Sequence, residues 1–251
     1  MPYRKLPNSV PAVIRTLKTA RDAWKITAAT DRAITAEQWA KLDDAAPASL
    51  LNRFLKEASD VDLALAGQAP LTTKLSQAAA QLTLHVSHFH QVLDLGIGRG
   101  TFAAGARSYY GRDVNATAIP DLATYDAVAE EAENIVKGEA ARQTAEGAGY
   151  IPMALPSAAE VGALLTQFQT LENQSEQAQV NTDKQREELQ ALYPEAQALA
   201  VDICDTVEFF HRKDPDDSSR RVKCTRWGVV YIYDQPAAPT PAPTPTPAPT
   251  A

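Results

Sequence analysis

LSQAAAQLTLHVSHFHQVLDLGIGRG, Leu75 to Gly100, is the stretch whose reading decides the fold. Two patterns overlap in it. Leu75, Ala79, Leu82, Val86, Phe89, Leu93 and Gly96 recur at alternating steps of four and three, the spacing that places side chains on one face of a helix. The same residues run into the densest glycine run of the chain and carry three of its four histidines. A helix predicts a buried stripe, whereas a glycine turn after a strand predicts a cofactor loop.

Working outward, the flanks favour the helix. Ser9 and Pro11 open a first helix, with Val13, Leu17, Ala20 and Trp24 at helical spacing and an end expected near Ala28 to Thr30. Thr35 and Gln38 form a capping box for a second. Leu50, Leu51, Phe54, Leu55 and Ala58 carry an apolar face toward a turn expected at Gly67 and Pro70. Thr124 caps a helix whose face is Val128, Ala132, Ile135 and Ala140, and Ser157 with Glu160 is a second capping box. The helix after Ser157 is expected to turn polar between Gln174 and Glu188. Pro194 is expected to split it from a second helix bearing Ala196, Leu199, Ile203, Val207 and Phe210, giving a tight αα-hairpin.

Asp214 to Ser219 reads as a loop, and GVVYIYD, Gly228 to Asp234, as the one convincing strand. Pro236 to Ala251 alternates proline with alanine and threonine, the composition of a disordered, polyproline-like tail. These signals predict an all-α protein: antiparallel bundles of five or six main helices with a short C-terminal β segment. The expected domains are residues 1–110, residues 121–235 (which could be continuous with the first) and the tail at 236–251.

The chain has 251 residues and a net charge of −7, against the basic field that nucleic-acid binding needs. Cys204 and Cys224, its two cysteines, lack metal-type spacing. No apolar run reaches the length of a membrane span and the N-terminus lacks a signal-like apolar core, so a soluble cytoplasmic protein is expected.

VLDLGIGRG, Val92 to Gly100, resembles the first motif of S-adenosylmethionine-dependent methyltransferases. The resemblance implies Asp94, Gly96, Gly98 and Gly100 as the cofactor turn and Asp113, in GRDVN, as the acid that holds the ribose. That fold needs a strand ending at Leu93 and several buried strands downstream. The chain offers helical periods and capping boxes there instead, so no cofactor is expected. A third reading takes His85, His88, His90 and Asp94 as ligands in a metal-binding bundle, since His85/His88 and His90/Asp94 pair on helix faces. It lacks ligands from facing helices.

The opening MPYRKLP, the core HVSHFHQVLDLGIGRG, then YYGRDV, PSAAEV and WGVVYIY together resemble a group of uncharacterised bacterial helical proteins. That resemblance implies a helical fold and carries over no functional residue. The resulting expectation is a structural or protein-interaction role, not an enzyme. Its partner surfaces are the strand Gly228–Asp234 and the polar helix 172–190, for a partner protein or for self-association. The basic cluster Arg220, Arg221, Lys223 and Arg226, beside Trp227, reads foremost as a solvated approach to that strand.

Overall fold

The computed structural model describes residues 2–116 and 118–233. Its fold is mainly all-α, as the periodicities predict. The elements are β1 (Tyr3–Lys5), α1 (Val10–Ile26), α2 (Ala36–Leu42), α3 (Leu50–Gly98), α4 (Tyr125–Glu146), α5 (Ala158–Phe210), α6 (Asp217–Thr225) and β2 (Val230–Ile232). Short 3-10 turns occur at Ala29–Asp31, Ala104–Tyr110 and Gly147–Gly149. The tail expected over Pro236–Ala251, like Asp234, lies outside the described residues.

The chain forms two compact units that are not consecutive in sequence. Among the described residues, the first combines residues 2–60 with residues 186–233, and the second is Val61–Gln185. The domain boundary expected between residues 110 and 121 therefore falls inside the second unit.

In the first unit, α1, α2, the start of α3 and the end of α5 enclose Leu17, Leu42, Leu51, Phe54, Ile203 and Val207, each without solvent exposure. Burying such a side chain contributes about 1.5–3 kcal/mol. The capping box of α2 forms as expected, with Thr35 Oγ1 accepting from Gln38 N and Gln38 Oε1 from Thr35 N. The same Gln38 donates through Nε2 to Asp202 and Thr206 of α5, so one residue both caps α2 and docks it. Ser9 precedes α1 but makes no side-chain cap bond.

The strand finds its partner inside the chain. β2 pairs antiparallel with β1, Tyr3 opposite Ile232 and Lys5 opposite Val230. Arg4 of β1 reaches Asp205 and Glu208 of α5, and Tyr231 Oη donates to Glu208 Oε1 at 2.6 Å, fastening the ribbon to α5. Gly228 lets the chain enter β2 with φ +95°, where a Cβ would lie 2.8 Å from the Thr16 carbonyl oxygen.

In the second unit, Leu82, Val86, Phe89 and Leu93 of α3 pack with Val128, Ala132 and Ile135 of α4 and Val161 and Phe168 of α5. This is the stripe read from the sequence. Within this unit α3 and α5 run antiparallel. Gln68 meets Gln179 and Thr182, while the segment 74–81 lines a groove with 163–174.

Three sequence expectations are corrected. Gly67 and Pro70 do not turn the chain, because α3 continues through them to Gly98. Pro194 does not divide α5, which runs unbroken from Ala158 to Phe210, so the αα-hairpin does not form. Each proline removes one backbone hydrogen bond, a cost of about 3 kcal/mol in a helix interior. The carbonyls deprived of a donor belong to Ala66 and Gln190, both exposed residues, where solvent can supply the missing bond. Finally, the expected loop Asp214–Ser219 is a loop only as far as Asp216, which accepts from the amides of Ser218 and Ser219 and caps α6 from Asp217 onward.

Two glycine substitutions should shift stability in opposite directions. Gly228→Ala should lower it by about 1–3 kcal/mol through the positive φ and the Thr16 carbonyl. Gly98→Ala lies in helix with open space around the added methyl and should raise it by up to about 1 kcal/mol. Urea denaturation followed by tryptophan fluorescence and by circular dichroism measures both.

Candidate functional site

The residues of the glycine motif close a helix. Val92 to Gly98 are the last turns of α3. Gly100 takes φ +74°, and the amides of Thr101 and Phe102 both donate to the Gly96 carbonyl. This left-handed stop satisfies carbonyls that a helix end otherwise leaves open. Gly96 has a steric role as well, since a Cβ there would lie 2.4 Å from the Phe102 ring. Gly98 faces open space. The strand–turn–helix context required by the methyltransferase motif is thus replaced by a helix and its C-cap.

Asp94 is bound by two arginines from the segment that follows. Arg107 Nε donates to Oδ1 at 2.7 Å, and Arg112 donates to both oxygens at 3.2 and 3.1 Å. The arginines also donate to the Val114 and Ala118 carbonyls, which ties the irregular chain after α3 back to that helix. Burial alone would raise the Asp94 carboxyl, but the bonds from Arg112 and Arg107 outweigh it and hold the group below the ordinary carboxylate range. Asp113 is exposed and accepts from the Asn115 amide in a local turn. It has no part in the Asp94 cluster.

The histidines diverge. His85 is half-buried and its Nδ1 lies 2.8 Å from the Gln81 carbonyl oxygen, one helical turn back. His88 is exposed. His90 is fully buried, with Nε2 2.8 Å from Glu131 Oε1 of α4. That contact is close enough for an ion pair but poorly aligned for a hydrogen bond, so both ring nitrogens lack a well-formed one. Among the described residues, no three His, Cys, Asp or Glu side chains converge as a metal site.

A buried cluster that sequence reading missed lies in the same unit. Arg142 of α4, with no exposed surface, donates to Tyr110 Oη at 2.9 Å, Glu139 at 3.0 Å, Glu146 at 3.1 Å and the Ile151 carbonyl at 2.8 Å. Glu139 also accepts from Tyr110, Tyr150 and the Met153 amide. Burial opposes ionisation of Glu139, yet its bonds from Tyr110, Tyr150 and Arg142 keep its carboxyl below the usual range. Burial, then the bond to Glu139, pushes Tyr150 up to about 12. Glu139 and Arg142 are spaced i, i+3, a pair that also decorates many solvated helices. Only packing of Tyr110 and Tyr150 against them marks this pair as internal.

A wide cleft of the first unit has a different character. Its volume is about 1030 Å³, and its walls include Ile26, Asp31, Phe210, His211, Lys223 and Trp227. Ile26 is 87% exposed and Phe210 46%, while Trp227 is buried. The His211 ring stands edge-on to Phe210, centroids 5.0 Å apart, and its Nε2 is buried without an acceptor or donor. Burial, and then the Lys223 charge, lowers the His211 pKa. Lys223 itself is held by Asp214 at 2.6 Å. A neutral imidazole beside exposed apolar side chains and fixed charges suits binding.

Comparisons with protein-family models, curated proteins and solved structures found no match to this chain. No described helix is long and apolar enough to cross a membrane.

The Asp94 cluster has a pH signature. Its folded-state pKa is depressed, so its contribution is full above the unfolded value near 4 and is lost as pH falls through the lowered folded value. Asp94→Asn should cost about 1–3 kcal/mol at neutral pH, with the difference from the parent shrinking as pH drops below about 4. Urea midpoints across that range test this, and a difference independent of pH would contradict it.

Proposed function

We propose that this protein acts without catalysis, by engaging another protein through the cleft of its first unit. The observation that carries the reading is the exposure of Ile26 and Phe210 at the rim of a cleft that also contains Trp227 and an unpartnered, buried His211 nitrogen. Exposed apolar side chains around a partly polar depression are the usual makings of a recognition patch. In contrast, Asp94, Glu139 and Arg142 are each committed to neighbouring side chains, which leaves little free for chemistry.

The two surfaces expected from the sequence rank lower. β2 already pairs with β1 along one edge, so the Gly228–Asp234 segment has less need of an outside strand; Asp234 itself is outside the described residues. The stretch 172–190 of α5 exposes Val180 as its one large apolar side chain among the described residues. Both rank as secondary contacts, including for self-association.

Buried, unpaired Cys204 and Cys224 fit a reducing compartment, in keeping with a cytoplasmic location. Burial pushes Cys204 up to about 11, which makes it a packing group in place of a reactive thiol. The acidic net charge of −7 fits a partner other than nucleic acid.

A photo-crosslinking amino acid placed in turn at Phe210, Val180 and Tyr233 in the native host tests this reading. A discrete protein adduct should form from position 210 and weaken when Ile26→Asp is added. Adducts from position 180 or 233 with none from 210 would overturn the choice of surface.

A further inference from the structure

A second, smaller depression in the first unit is built from different chemistry. It measures about 230 Å³ and is lined by Pro2, Glu208, Arg212, Arg220, Arg221 and Tyr231. Three arginines, one in the turn after α5 and two on α6, therefore line one cavity, in a chain whose net charge is −7. From the geometry we infer that this depression is a binding site for a small phosphate group, either the free ion or the phosphoryl end of a compact phosphomonoester.

The first support is the state of the arginines. Arg212 and Arg221 make no ion pair with a carboxylate among the described residues. Arg212 is instead held by the Phe209 ring, 3.5 Å from its guanidinium, and by a 3.4 Å bond to the Phe209 carbonyl. Arg221 has a buried Nε–H with no acceptor. Arg220 pairs with Asp217 at 2.9 Å, but the Asp217 side chain is 69% exposed, and such surface pairs contribute at most about 1 kcal/mol. An incoming dianion can displace it.

Second, the one carboxylate lining the site is already engaged. Glu208 accepts from Arg4 at 3.1 Å and from Tyr231 Oη at 2.6 Å. Arg4 lies on β1, so pairing of the two strands brings a fourth cation to offset that charge. Third, size selects the ligand. Pockets for drug-sized molecules span roughly 300–1,000 Å³, so a cavity of about 230 Å³ admits one tetrahedral oxyanion with a short substituent. Arginine suits this task because its planar fork donates two parallel bonds to phosphate oxygens.

The experiment is calorimetric titration of the full chain with inorganic phosphate, glycerol phosphate and, as the uncharged control, glycerol. Phosphate or glycerol phosphate should bind at one site per chain and weaken as salt is raised. Binding of both would show that the site takes the phosphoryl end, and binding of phosphate alone would assign the free ion. Arg221→Gln and Arg212→Gln should each weaken binding by about tenfold or more. Arg221→Lys, which keeps the charge and loses the fork, should fall between. Lys56→Gln, remote in α3 and paired with Asp60, should leave binding unchanged. Absence of binding to the parent chain by roughly 10 mM would overturn the proposal, as would binding indifferent to both glutamine variants in proteins with parental circular dichroism.

Discussion

Burial of Leu82, Val86, Phe89 and Leu93 between α4 and α5 keeps α3 helical up to its glycines. Had those side chains alternated between two faces, the glycine run after them would sit at a strand end, the context its resemblance to a cofactor loop requires. Because they share one helical face, Gly96, Gly98 and Gly100 become the last turn and C-cap of a helix. Asp94, one turn earlier, then faces the irregular chain that follows and is met by Arg107 and Arg112. One apolar stripe thus converts a would-be cofactor motif into a structural anchor.

Charge in the second unit is handled inward. The Glu139–Arg142 cluster is fully bonded through Tyr110, Tyr150 and backbone groups, as a buried polar group must be if it is not to destabilise the fold. His90 and Glu131 are less well served, placed near one another but poorly aligned, and the Arg112 Nε is buried without an acceptor. The first unit presents its chemistry outward. Its clefts collect exposed apolar residues on one side and three arginines on another, two of them without a carboxylate partner among the described residues, which is why both functional readings fall there.

Local signals on the chain were legible where they concern the backbone and its nearest neighbours. The boxes at Thr35/Gln38 and Ser157/Glu160, the Thr124 cap and the helical stripes could all be read, because each depends on groups three or four residues apart. The prolines misled for a related reason. A lost hydrogen bond reads as a break, yet at an exposed residue solvent can serve the freed carbonyl while flanking core contacts hold the helix on both sides. Tyr3–Lys5 carries too few residues to register as a strand and is specified only by its partner.

The sequence by itself determined the all-α class, most helix starts and the composition of the core faces, since periodicity and capping are local properties. Tertiary structure alone decided that the chain's two ends share one unit, that the C-terminal strand pairs with the N-terminal one and that Asp94 meets two arginines. It also decided that His211, Trp227 and Ile26 surround one cleft and Arg212, Arg220 and Arg221 another. These are encounters between residues as far apart as Tyr3 and Ile232. No local spacing encodes them, because they exist only once the helices have packed.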